Sequence, residues 1–266
     1  MANNIFLFFN IFLFFFGLII GSFLNSIIYR MEANKGFPLA RSYCPHCQHT
    51  LSWQDLFPIF SFFALGGKCR YCGKKISWQY PIVEMTTGLV FLLVLKFQLP
   101  HFEFSIFYFL FSIFSFYIAS SLIVIFIYDL KHYIIPDKIL FPAIVVALLH
   151  QITLNSGLNI LNPLFSALGA SLFFLLIFLI SGGNWIGFGD VKLALLLGLA
   201  LGYPGILAGL FLAFLCGAII GLGLMLFGKK GLKSEVPFAP FLILGTFVAM
   251  LFSSSIVNWY IRLFLF

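Results

Sequence analysis

A chain of 266 residues in which 62% are hydrophobic, 20% aromatic and only 9% charged has too little polar surface to cover a water-soluble globule of its size. It must lie in a membrane. Its formal net charge of +7 does not indicate nucleic acid as a partner, because the basic residues fall in short loops between apolar runs, where they set topology.

With about 20 apolar residues to a span, the first run covers residues 5–28 and ends at Arg30. It is too long for the apolar core of a cleaved signal, and we read it as a retained transmembrane helix. Residues 31–80 are the one substantial polar segment, a small extramembrane domain containing four cysteines. Spans are expected at about 81–99 and 104–128, the latter ending at Asp129, then at about 139–154 and 164–180. The run 191–203 is too short to cross unaided, so a sixth span is either short or begins inside the membrane. Pro204-Gly205 turns the chain into a seventh run ending near 227, and an eighth covers about 238–260. The expected architecture is an all-α polytopic membrane protein of about eight helices, with a small zinc-binding domain between the first two.

Alternating sides along this map collects Arg30, Lys35, Arg41, Lys68, Arg70, Lys74, Lys75, Lys131, Lys138, Lys192, Lys229, Lys230 and Lys233 on one face, leaving Lys96 and Arg262 opposite. By the positive-inside rule the termini face outward, and the cysteine loop, Asp129 and Asp190 face the cytoplasm.

Cys44-Pro45-His46-Cys47 and Cys69-Arg70-Tyr71-Cys72 form two Cys-x-x-Cys pairs, a metal pattern more than a disulfide one. Four thiolates complete a tetrahedral zinc site and leave no open position for water, so Cys44, Cys47, Cys69 and Cys72 are expected to be structural ligands. The alternative is a set of bare structural or redox cysteines. His46 and His49 are read as solvated loop residues and Cys216 as a small packing residue.

Asp129 and Asp190 each stand where an apolar helix meets a loop on the same membrane face. Two carboxylates close together in a partly desolvated site cannot both ionise, so one holds a proton and the pair can act as acid and base on a water molecule. The competing reading is that each caps a helix, which is also the expectation for Asp137; Glu84 reads as a first-turn carboxylate. Gly187 and Gly189, flanking Phe188, permit positive φ and a close backbone approach beside Asp190.

These strings together resemble the bacterial type IV prepilin peptidases, a family similar in kind to the wider Gly-x-Gly-Asp intramembrane aspartyl proteases. The resemblance is carried by Gly21-Ser22-Phe23-Leu24-Asn25, both Cys-x-x-Cys pairs, Trp53-Gln54-Asp55-Leu56-Phe57-Pro58-Ile59, Leu65-Gly66-Gly67-Lys68-Cys69 and Ser77-Trp78-Gln79-Tyr80-Pro81. It continues through Asp129 with Ile135-Pro136-Asp137, Gly187-Phe188-Gly189-Asp190-Val191-Lys192, and Val236-Pro237-Phe238-Ala239-Pro240. Gln79 stands where the family commonly has Arg, and Ala239 where it commonly has Gly. The resemblance implies that Asp129 and Asp190 are catalytic, cutting after a glycine at the end of a short basic leader of prepilins or pseudopilins. It also implies transfer of a methyl group from S-adenosylmethionine to the freed N-terminus, an activity associated with the cysteine loop and with the position of Gly67. The expected division is a first helix at 1–30, the cysteine domain at 31–80 and the peptidase helices at 81–266, in an inner membrane whose lipid is the other partner.

Two rivals remain at this stage. One is a peptidase without methyl transfer, since the loop contains no Gly-x-Gly-x-x-Gly fingerprint. The other is a proton-linked carrier, which would place its carboxylates near the midplane and show an inverted repeat; no repeat is visible. The sequence does not indicate an oligomeric state.

Overall fold

The computed structural model describes residues 2–33, 41–98, 106–154, 157–226 and 236–264. Helices dominate them: α1 (Ala2–Glu32), α2 (Phe60–Ala64), α3 (Gln79–Gln98), α4 (Ile106–His132), α5 (Asp137–Leu154), α6 (Leu161–Ser181), α7 (Phe188–Leu201), α8 (Gly205–Leu226) and α9 (Ala239–Phe264), with 3-10 turns at Trp53–Leu56 and Gly157–Ile160. The only strand-like pairings among these residues are two isolated bridges, Tyr43 to Thr50 and Lys68 to Lys75. Five helices, within α1, α4, α6, α8 and α9, are long and apolar enough to cross a membrane. The chain is a multi-pass membrane protein. The polar run 228–235 lies outside the described residues.

The chain divides into two compact units, Met1–Lys96 and Phe97–Phe266. In the first, α1 and α3 pack through small residues. A Cβ on Gly17 would fall 2.7 Å from the Gly88 Cα, and one on Gly21 would fall 2.6 Å from the Glu84 Cα. With no hydrophobic force between helices in lipid, such close backbone approach supplies the van der Waals contact that holds them. One turn further along the same face of α1, Asn25 donates to the Tyr80 carbonyl at 3.1 Å and accepts from the Gln79 side chain at 3.3 Å. Gln79, the departure from the family pattern, is thus used within the helix pair.

In the second unit α7 is the central element. Leu193, Leu196, Leu197 and Leu199 are all buried, along with Val191 and Ala194, as expected of a helix apolar all round. At 14 residues it is only about 21 Å long, so both ends must satisfy their backbone groups within an apolar protein. At its C-terminal end Gln151 donates to the Leu199 carbonyl at 2.7 Å. Asn162 accepts the Tyr203 N–H at 2.7 Å and donates to the Tyr203 carbonyl at 3.1 Å. A Cβ on Gly198 would sit 2.4 Å from the Ala167 Cα, so α6 and α7 touch backbone to backbone.

Candidate active site

Asp129 lies in the last turn of α4, and Asp190 is the third residue of α7. Both are buried. The link between them is the segment after α4. Ile135 packs over the α7 start, where a Cβ on Gly189 would meet the Ile135 side chain at 3.2 Å. Gly189 is therefore required for close approach. Neither Gly187 nor Gly189 has a positive φ, so the conformational freedom expected of the two glycines is not used. Tyr133 takes that conformation instead, at φ 58°, with its N–H on the Asp129 carbonyl at 2.9 Å.

Gly187 is the N-cap of α7, with extended backbone at φ −75° and ψ 149°, and its carbonyl accepts the Asp190 N–H at 3.1 Å.

Ser171, the eleventh residue of α6, donates to the Val191 carbonyl at 3.1 Å. The first turn of α7 is therefore level with the middle of α6, which runs ten residues further to Ser181. The connection folds back along that extension: Gly183 bonds to the Phe178 carbonyl at 2.9 Å, and the rings of Phe178 and Phe188 lie 5.6 Å apart. Non-helical backbone at such a level is tolerated where it is covered by protein or lines a watered space, which a hydrolytic site needs.

Two contacts escaped the sequence reading. Lys192 forms an ion pair with Asp137 and lies over the Phe141 and Phe188 rings at 5.5 and 5.6 Å. Asp137 is the first helical residue of α5, and its carboxylate ties that helix to α7. Further from the aspartates, the buried His150 ring shares a hydrogen bond with Ser115 at 3.1 Å and lies 4.6 Å from the Phe111 ring. A Lys two positions after an Asp, and an Asp after a Pro, were visible signals; which pairs meet depends on helix register.

In the other unit the Sγ atoms of Cys44, Cys47, Cys69 and Cys72 all lie within 4.8 Å of one another. The two halves are built alike. The N–H of Gln48 bonds to the Cys44 carbonyl and that of Gly73 to the Cys69 carbonyl, both at 2.9 Å, and Gln48 and Gly73 have φ of 59° and 68°. Burial pushes the Cys44 thiol up, but hydrogen bonds from the Cys47 and His46 backbone outweigh it and bring it down to about 7, favouring the thiolate that ligates metal. The set could hold a metal ion. His46 and His49 are outside it, and the His49 ring stacks on Tyr71 at 3.7 Å.

Asp55 anchors the loop around these cysteines. It accepts from Ser52, from Arg70 at 2.7 Å and from Tyr71 at 3.2 Å. Burial would raise its carboxyl, yet these donors hold it below the usual range. Gly67 turns the chain at φ 67°, a Cβ there meeting the Phe62 ring at 3.3 Å. Its N–H is on the Phe62 carbonyl and its carbonyl accepts from Ile76. Glu84 is not a first-turn dipole partner. It accepts the Ile59 N–H at 2.7 Å.

Residues 15–97 match the bacterial peptidase A24 N-terminal domain, and residues 116–222 match the type IV leader peptidase family. Among curated relatives, the prepilin leader peptidase/N-methyltransferase of Bacillus subtilis (strain 168) is 33% identical over 94% of this chain and 97% of its own. The proteins of the same name from Legionella pneumophila and Myxococcus xanthus (strain DK1622) are 30% and 32% identical, over 92% and 85% of this chain and 92% and 67% of theirs. No solved structure gives a significant match.

Proposed function

Because the chain belongs to the type IV leader peptidase family, we propose that it removes the leader of prepilins or pseudopilins, with Asp129 and Asp190 as its catalytic pair, and methylates the new N-terminus. The observation that carries this reading is that Asp129, in the last turn of α4, and Asp190, in the first turn of α7, are both buried, with Ile135 of the segment that follows α4 packed on Gly189 beside Asp190. Mutual repulsion and burial favour one proton shared by the pair. The ionised member takes a proton from water as it attacks the scissile carbonyl, and the protonated member hydrogen-bonds the carbonyl oxygen and supplies the proton the leaving amine needs. The Ile135–Gly189 contact positions the turn that bears Asp190, and the Lys192–Asp137 pair ties its helix to α5. A short extended segment around the cleavage glycine is the conformation that can reach this level beside α6.

The charge bias across the membrane supports a cytoplasmic site with both termini outside. In this reading the helices of 81–266 work as the peptidase and residues 31–80 as a metal-bound domain. Zinc suits four thiols: a tetrahedral site with bonds of about 2.3 Å sets its sulfurs roughly 3.8 Å apart, and Cys44 and Cys72 are at 3.9 Å. The ion would be structural, cross-linking the two knuckles. Methyl transfer from S-adenosylmethionine is supported by the family and by the names of the relatives. Gly67, its backbone groups both engaged, would contribute by shaping the turn rather than by touching the donor. The single-step test is to incubate membranes containing the chain with a prepilin. The wild type is expected to release the leader and Asp129→Asn and Asp190→Asn to leave it attached; leader release by either variant refutes the assignment.

A further inference from the structure

The segment between the cysteine pairs is polar in its company but not in its side chains. Trp53, Leu56, Phe57, Phe60 and Phe63 are exposed, with Trp78 beside them: Trp53 is 71% exposed, Phe63 and Trp78 62% each. Phe57 and Phe60 are 6.1 Å apart and Phe63 and Trp78 6.4 Å, while Phe62 alone turns inward. So many large apolar groups on one short stretch mark an interaction surface rather than scattered exposure.

The depth of the segment identifies its occupant. Ile59 is bonded through its N–H to Glu84, and Glu84 is level with Gly21, whose Cβ would touch its Cα. Gly21 precedes the end of α1 by eleven residues, a distance of about 16 Å along the helix. The segment therefore dips beside the spanning helix α1 and does not stand off in water. Ile59 is held at φ 62°, a strained conformation for a β-branched residue, fixed where the Glu84 bond anchors it. Around the segment residues 41–80 contain Arg41, Lys68, Arg70, Lys74 and Lys75 against the single carboxylate of Asp55. This body stays net positive even when four thiolates bind a divalent ion. Arg70, paired to Asp55, sits against the aromatic stretch itself.

We propose that residues 53–63 with Trp78 form an interfacial anchor that seats the cysteine loop in the bilayer its flanking helices occupy, its aromatics among the acyl-chain ends and its cations on anionic headgroups. The anchor is independent of the peptidase assignment.

The test uses full-length chain in which three of the four tryptophans are replaced by Phe, leaving Trp53 or Trp78 alone. Each is reconstituted in phosphatidylcholine vesicles with bromines at shallow or deep acyl positions, with and without phosphatidylglycerol, after metal content and circular dichroism establish folding. Both tryptophans are expected to lose emission to brominated lipid, more to shallow than to deep bromines, and more when phosphatidylglycerol is present. Lys68→Gln with Lys75→Gln should weaken the phosphatidylglycerol effect. Emission unchanged by bromine and open to aqueous acrylamide would show a face turned to water or to a protein partner and overturn the anchor. Quenching indifferent to phosphatidylglycerol in the wild type would overturn the role of the cations.

Discussion

Lys192 and Asp137 form an ion pair two residues beyond Asp190 in one helix and at the first residue of another. Exposed in part on both sides, the pair contributes little to stability, about 0.2–1 kcal/mol. Its value is geometric, because it fixes the rotation of the first turn of α7 about its axis. Lys192→Met is expected to lower kcat for leader cleavage about tenfold, a loss near 1.4 kcal/mol of transition-state stabilisation, with thermal unfolding in detergent almost unchanged. Lys192→Arg should recover part of it. Kinetics measured beside a melting curve separate the two effects.

Gly189 has space for no side chain without moving Ile135, whose atoms would lie 3.2 Å from a new Cβ. Gly189→Ala is expected to cost about 1–3 kcal/mol through overpacking and to displace Asp190. Adding Ile135→Ala removes the obstructing atoms and should restore much of the cleavage lost. Rescue in the double variant checks the contact directly.

Much of this organisation was legible in the sequence. Hydrophobic run lengths located the helices, the Cys-x-x-Cys spacing brought out the four thiols that do cluster, and Asp129 and Asp190 do lie near helix ends, both buried. What stayed hidden depends on which faces of helices touch. Gly189 was read for conformational freedom, whereas it serves a contact with a residue 54 positions away. Glu84 was read from its place near a helix start, but its partner is a backbone N–H in another segment. The short run 191–203 was recognised as anomalous, yet only tertiary structure shows Gln151 and Asn162 completing its C-terminal end.

That end gives a stability prediction. Gln151 is buried, and Gln151→Leu leaves the Leu199 carbonyl without the side-chain donor it has now. A loss of about 1–3 kcal/mol is expected, read as a lower unfolding midpoint in detergent, with residual cleavage per folded molecule close to wild type.

For the cysteine set, purified wild-type chain should contain one zinc per chain by mass spectrometry, and Cys72→Ser should lose most of it. Binding energy at such sites is folding energy, so metal removal is expected to open residues 41–78 to added protease. Leader cleavage by the wild type should resist serine- and cysteine-protease reagents, since in the proposed mechanism water, and no hydroxyl or thiol side chain, attacks the substrate.

The central claim is that Asp129 and Asp190 act as one unit, and a double-mutant comparison of kcat/KM tests it most directly. Asp129→Asn and Asp190→Asn should each reduce cleavage of a prepilin by at least about a thousandfold, and the double variant should be no slower than the worse single one, as groups sharing one catalytic step behave. Losses that multiply in the double variant, or substantial cleavage by either single variant, would contradict it.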